Sequence, residues 1–570
     1  MHFLKAITGT IALAACAALV PSAPAQTLQV LTAGSSAQFG PFAVAAYALA
    51  KIGGATAYHY TVKSGSSCAN INSPSTTCYA SLNDSARSSS IPNEPGNLWV
   101  VWSTNGIWAY LSVDSTVGVR AFSAVPRAAL QIETATPLPL SATSNYPLYW
   151  ADGTNDTALT STVLSAIQGV KLTAANTDIR PEDALFATNR TLNTLGYGNV
   201  ADPRAGHSGQ FLIGTAGVQS TYGTGVAHPV SFAIGGGADP FTNQVGPAEV
   251  TLPIGAAPVI FLASTVSGST VANATNITSA GAAYLFSGVS ACEASLVTGA
   301  TGLITPVLRE PLSGTMNTTE YSVFVPYGHS QETGISASNN PLKLPCGSQT
   351  QYRVRAIGTG DSVSDADTLP STLAYAFFSY ESTASGKSDK YITLNGIDPI
   401  NETYSNGALP SCVVSGGVYS CANPTANSFP NLRSGSYPAW SIYRMVTDSA
   451  GEANAATLVS KAQVLVNNSI PDFVPFTPVC TYSPTGANDP GLAIYREHFV
   501  PSTIETIPDS ITITPNDGSL GKSVNCSVKR ATLTPLTLGG GPEAGGDVGG
   551  KVVVNTKPPT YPGPTESQPH

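Results

Sequence analysis

Arg309 stands four residues ahead of Ser313-Gly314-Thr315, in the stretch Leu308-Arg309-Glu310-Pro311-Leu312-Ser313-Gly314-Thr315. A guanidinium is a planar fork of donors matched to phosphate or carboxylate oxygens. The Ser and Thr hydroxyls add donors, Gly lets the backbone approach a ligand closely, and a helix opening at this turn would offer unpaired N–H groups and a favourable dipole. Two further turns carry the same chemistry: Ala33-Gly34-Ser35-Ser36-Ala37 and Ser64-Gly65-Ser66-Ser67. Together they describe an oxyanion receptor at the carboxyl ends of a parallel sheet, where open α/β folds bind ligands. For any one of these turns taken alone, ordinary turn and N-cap chemistry is the better explanation of Ser and Gly.

Such a receptor needs strands that end at the turns and helices that begin there. Leu28–Thr32 reads as a buried strand, and the apolar run from Phe39 to Ile52 reads as a helix stopped by Gly53-Gly54. Tyr58–Val62 is an aromatic strand leading to the second turn. The segment from Asn97 to Phe122, with Trp99, Val101, Trp102, Ile107, Trp108 and Tyr110 around Asn105-Gly106, predicts a β-hairpin. Its aromatic residues fit a core better than a sugar-binding platform.

The order of these signals resembles that of the periplasmic phosphate-binding proteins of ABC phosphate transporters and their extracellular relatives, the DING proteins. Ala33–Ala37 is similar to the family's first Gly-Ala-Thr-Phe turn, and Gly65-Ser66-Ser67 to its Gly-Ser-Ser turn. Thr177–Leu185 resembles its segment ending Ser-Asp-Ala, Leu252–Val259 its crossover strand between lobes, and Arg309–Thr315 its Arg-x-x-x-Ser-Gly-Thr loop. Ala356–Gly360, Leu373–Phe377 and Tyr437–Tyr443 are later echoes, so the resemblance is spread over most of residues 28–480.

The resemblance implies an α/β, two-lobed periplasmic-binding-protein-like fold with a hinge, a β-rich insertion in lobe one and a flexible C-terminal tail. It implies a ligand set of Ser36, Ala37, Ser66, Asp183, Arg309, Ser313, Gly314 and Thr315. Arg309 would be the fixed positive charge. Asp183 would accept a hydrogen bond from the protonated oxygen of hydrogen phosphate. Sulfate brings no such proton and would leave a buried acceptor without a donor. Three departures bear on this set. Where the family has an aspartate two residues after the arginine, this chain has Pro311; Glu182 stands before Asp183 in place of serine; and Asp178 competes with Asp183 for the acceptor role.

At 570 residues the chain can hold two or three cores. Only 10% of residues are charged and the net charge is −9, which argues against a nucleic-acid partner but not against an anion held by local donors. Met1–Lys5, the apolar run Ala6–Val20 and Pro21–Gln26 predict a signal peptide cut after Ala25, hence an exported protein, periplasmic or extracellular. Leu13-Ala14-Ala15-Cys16 also resembles a bacterial lipobox that would acylate Cys16. No later stretch has the length and apolarity of a bilayer span. Beyond Cys16 there are Cys68, Cys78, Cys292, Cys346, Cys412, Cys421, Cys480 and Cys526, an even set that fits disulfides in an exported chain, with nearest-neighbour pairing the simplest arrangement.

The expected organisation is a signal peptide at 1–25; lobe one at 26–255 with an insertion at 70–170; lobe two at 256–430; a return to lobe one with a C-terminal extension at 431–528; and a Gly/Pro-rich tail at 529–570. Gly521-Lys522-Ser523 and Gly386-Lys387-Ser388 lack the earlier glycine of a P-loop, and neither a G-x-S-x-G elbow nor an H-E-x-x-H helix occurs. The expectation is therefore a solute-binding protein that captures phosphate or a similar oxyanion, needs no cofactor, and delivers its ligand to an ABC permease. A secreted phosphatase of phosphate esters and a surface or matrix protein with a degenerate cleft are the alternatives from other classes.

Overall fold

The structure is a computed structural model that describes residues 26–60, 79–83, 96–124, 126–133, 156–179, 220–222, 226–228, 249–287, 294–309, 313–324, 327, 343–346, 349–356, 358–379, 388–400, 412–415, 418–421, 429–433, 437–468, 472–475, 510–512 and 527–529. It is a mixed α/β architecture built on one 15-stranded mixed sheet.

The chain enters the sheet with β1 (Leu28–Ser35), turns through the short 3-10 segment Ser36–Gln38, and continues as α1 (Phe39–Ala50). Next come β2 (Thr56–Tyr60), β3 (Asn97–Ser103), β4 (Gly106–Val113) and α2 (Ser115–Ser123). After β5 (Thr157–Ala158) and β6 (Ala174–Thr177) the chain reaches β7 (Glu249–Ser264), a strand of 16 residues. Then follow β8 (Asn276–Ile277), β9 (Val297–Thr298), β10 (Thr305–Arg309) and α3 (Gly314–Thr319). The remainder comprises β11 (Val354–Ala356), α4 (Gly358–Thr368), β12 (Thr372–Phe377), β13 (Asp389–Leu394), β14 (Trp440–Asp448), α5 (Glu452–Asn468) and β15 (Val474–Pro475).

The strand order is β9-β8-β13-β7-β14-β6-β1-β4-β3-β2-β5, with β10, β11, β12 and β15 paired off this path. β1 runs parallel to both β4 and β6, and six of its eight residues are fully buried. That is the pattern of a parallel strand covered on both faces. Its alternation assigns the faces: Val30 points to the core shared with Phe42 of α1 and Leu458 of α5, while Leu31 and Ala33 point to the core shared with Val119 and Phe122 of α2. Gly118 lets α2 lie directly on β1, since a Cβ there would come within 2.3 Å of the Ala33 carbonyl oxygen.

The predicted hairpin forms as β3 and β4 around Thr104-Asn105. Its position decides the shape of the site. β4 and β3 lie between β1 and β2, so the aromatic strand that precedes the Ser64–Ser67 turn is separated from β1 by two strands, roughly 14 Å at the usual interstrand spacing. Trp99 Nε1 donates to the Phe39 carbonyl at 2.9 Å and fixes the hairpin to the start of α1.

β7 joins two sheet regions. From Glu249 to Pro258 it pairs antiparallel with β14, which in turn pairs with β6. From Val259 onward its partners are β12 and β13. Gly255 sits at the register shift in this strand, where a Cβ would lie 2.2 Å from the Val474 carbonyl oxygen of β15. The first region therefore holds β1–β6 and the second holds β8–β13, with β7 and β14 running between them. Outside the main sheet, Cys412–Ser415 and Val418–Cys421 form a two-stranded ladder whose register sets Cys412 opposite Cys421.

Candidate functional site

Four strand ends meet where the two regions face each other. β1 ends at Ser35, whose hydroxyl accepts the Ala37 N–H at 3.2 Å and so caps the turn into α1. Gly34 just before it has φ +143°, and a Cβ there would lie 1.8 Å from the Asn176 carbonyl oxygen, so the β1–β6 approach requires glycine. Thr32 Oγ1 donates to Asn176 Oδ1 at 2.6 Å, and Asn176 Nδ2 donates to Gln38 Oε1 at 2.7 Å. Gln38 Nε2 then donates to the Thr177 carbonyl at 2.9 Å and to Asp178 Oδ1 at 3.1 Å.

Asp178 is the hub of this network, only 2% exposed. Its backbone N–H donates to Ser115 Oγ at 3.1 Å, and Ser441 Oγ donates to its carbonyl. Burial pushes its carboxyl above the usual carboxylate range, opposed in turn by hydrogen bonds from Ser35, Gln38 and Ser115 and by the charge of Arg309. Tyr110 OH donates to the Ser35 carbonyl at 2.6 Å. Burial, helped by the Asp178 charge, holds that phenol well above its ordinary pKa, so it stays a donor.

From the second region, Arg309 closes β10 with 1% exposure, its N–H donating to Tyr375 OH at 3.2 Å. Its Nη2 lies 3.9 Å from Asp114 Oδ1, at the end of β4. Ser313 caps α3 by accepting the Met316 N–H at 3.3 Å, and Asn317 Nδ2 donates back to the Ser313 carbonyl at 2.7 Å. Gly314 and Thr315 follow, both buried. A Cβ on Gly314 would lie 2.5 Å from Ser115 Oγ and 2.8 Å from Asp178 Oδ2, so this helix start presses against the first region with no room for a side chain. Beside it, Ser36 Oγ is 3.0 Å from Thr359 Oγ1 and accepts the Thr359 N–H at 3.1 Å, tying the β1 turn to the head of α4. The arrangement is a cation, the two buried carboxylates Asp114 and Asp178, and hydroxyl and backbone donors from both regions, which is chemistry for a protonated oxyanion.

The structure brings together Ser36, Arg309, Ser313, Gly314 and Thr315, with Ala37 buried beside them and its N–H already donated to Ser35. Ser66 and Asp183 lie outside the described residues. Asp178, weighed against Asp183 for the acceptor role, occupies the centre. Sequence reasoning missed Gln38, Asp114, Ser115 and Thr359. For Asp114 and Ser115 a signal existed: a continuous apolar strand followed by Asp-Ser-Thr at a helix start.

No protein-family model and no curated protein sequence matches the chain. Among solved structures it is similar to phosphate-binding proteins. A putative phosphate ABC transporter substrate-binding protein with bound phosphate from Clostridium perfringens shares 15% identity over 38% of this chain and 69% of its own, at TM-score 0.24. An ABC-type phosphate transport receptor from Vibrio cholerae shares 12% over 40% and 75%, at 0.24. A phosphate-binding protein from Stenotrophomonas maltophilia shares 12% over 62% and 77%, at 0.29. At these scores the likeness says nothing about what this chain binds. Among the described residues no helix is long and apolar enough to cross a membrane.

Proposed function

We propose that the chain is an exported solute-binding protein that captures protonated phosphate between its two sheet regions and delivers it to an ABC-type permease. The observation that carries this reading is the convergence of Arg309 from β10 and Asp178 from the end of β6 in one buried place, with Gly314 packed against the Asp178 carboxylate. A buried guanidinium supplies charge to an anion; a buried carboxylate tolerates that anion only where the ligand brings a proton to share. Phosphate brings one near neutral pH and sulfate does not. Leaving the Asp178 acceptor against an ionised oxygen costs about 3 kcal/mol, roughly a hundredfold in affinity.

In this reading the two regions are lobes, and β7 and β14 are the paired segments about which they close. Ser36, Ser313 and Thr315 supply the hydroxyl and helix-start donors around the anion.

Calorimetric titration of the mature, phosphate-stripped protein with phosphate and with sulfate, at one pH and salt, tests the proposal. The expected result is saturable micromolar or tighter phosphate binding, about −8 kcal/mol or better, and no sulfate heat. Arg309→Ala is expected to weaken phosphate at least a hundredfold. Asp178→Asn is expected to weaken it less and to admit sulfate. Equal binding of both anions, or unchanged affinity in both variants, rejects the pocket.

A further inference from the structure

Asp114 is the N-cap of α2 and has the extended backbone of that position, φ −80° and ψ 153°, but its side chain makes no capping hydrogen bond. An N-cap carboxylate normally accepts an N–H of the first turn. Here it is buried instead, with its Oδ1 3.9 Å from Arg309 Nη2 and side-chain exposures of 4% and 1% for the two residues.

The two partners belong to different parts of the sheet. Asp114 follows β4, which pairs with β1 and β3; Arg309 ends β10, which pairs with β11 and β12. Their contact therefore lies on the same seam as the Ser36–Thr359 hydrogen bonds and the packing of Gly314 on Ser115. Ser115 is the next residue in the chain, and its hydroxyl accepts the Asp178 N–H. The β4–α2 turn thus touches both the cation and the acceptor of the proposed site. A guanidinium offers five N–H donors in a fixed plane, so a carboxylate on one edge sets the direction of that plane.

We propose that Asp114 is the positioning residue for Arg309: it orients the guanidinium from across the seam, so the arginine is aimed at the oxyanion only when the two sheet regions are together. The proposal rests on the oxyanion-binding reading. Closure sets the main cation of the site in place from the opposite region, before an anion is bound. A closed state with Arg309 held by Asp114 releases the anion more slowly than one in which the guanidinium can swing.

Asp114→Asn isolates the charge, because asparagine is as good an N-cap as aspartate and α2 keeps its start. The experiment is a double-mutant cycle with Asp114→Asn, Arg309→Gln and the double variant, followed by urea unfolding without added anion, together with phosphate calorimetry on the unaltered protein and Asp114→Asn. The expected result is non-additive urea midpoints, with the double variant less destabilised than the sum of the single ones, and phosphate binding weakened at least tenfold in Asp114→Asn. A purely local role for Asp114 in starting α2 gives additive midpoints, which overturns the proposal. Unchanged or tighter phosphate binding in Asp114→Asn overturns it as well, since the carboxylate would then be idle or a competitor of the ligand. Non-additive midpoints in a protein whose unaltered form gives no phosphate heat would remove the oxyanion reading while supporting the Asp114–Arg309 contact across the seam.

Discussion

Asp178 is a carboxylate that folding does not favour, and its cost points to its use. Burial raises its pKa above the ordinary value, with Ser35, Gln38, Ser115 and Arg309 offsetting only part. A carboxyl with a raised folded pKa contributes stability below its unfolded pKa, and that contribution is lost as pH rises through the folded value. Asp178→Asn is therefore expected to raise the melting temperature at neutral pH, with the gain shrinking as pH falls through the raised pKa. Thermal unfolding of both proteins across pH 4 to 8 reads this directly, and a variant less stable than its parent at neutral pH would refute it. The sequence offers Asp178 and Asp183 within a few residues of one short strand. β6 ends at Thr177, paired with Arg444 of a strand far along the chain, which sets Asp178 directly after it, while Asp183 lies outside the described residues. Arg309 was legible because its chemistry is written locally, in its spacing to a capped Ser-Gly-Thr turn.

At the scale of elements, the β3–β4 hairpin was legible and its place was not. Asn105-Gly106 between aromatic runs is a short-range signal, whereas parallel pairing of β4 with β1 is a long-range outcome that no local pattern encodes. That placement moved Asp114 and Ser115 into the site. Two glycines make the element contacts testable. Gly34→Ala forces a Cβ onto the Asn176 carbonyl at a positive φ and is expected to destabilise the protein by about 3 kcal/mol or more, seen as a lower urea midpoint. If the regions close on the anion as proposed, Gly314→Ala is expected instead to keep the fold and weaken phosphate binding at least tenfold, because the added methyl would meet Ser115 and Asp178 in the packed arrangement. A Gly314→Ala protein with full affinity would show that these regions need not approach so closely. Cys412 and Cys421, opposed in register across their ladder, are expected as a disulfide-linked peptide pair in a non-reducing digest; free thiols at both positions would exclude it.

At the scale of the whole molecule, ligand and stability are linked. Phosphate at a hundred times its Kd is expected to add about 2.7 kcal/mol to the unfolding free energy, read as a rise in melting temperature that sulfate does not produce. Small-angle scattering is expected to show the radius of gyration falling on phosphate addition, and a constant radius with saturated binding would argue against closure about β7 and β14. The α/β class could be read from the strand-turn-helix rhythm, but the order of 15 strands could not, because most neighbours in the sheet are remote in the chain. That remoteness also governs how the molecule is made. Thr32 waits for Asn176, 144 residues later, and Asp178 waits for Ser441, 263 residues beyond it. Loops of that length must close before their contacts reward them, which slows folding to the millisecond-to-second range or beyond. β1 has both its neighbours once the chain has reached Thr177, but β6 must wait for Arg444–Thr447 of β14 and β7 for the same strand, so the middle of the sheet is closed last and the chain stays open through most of its own synthesis.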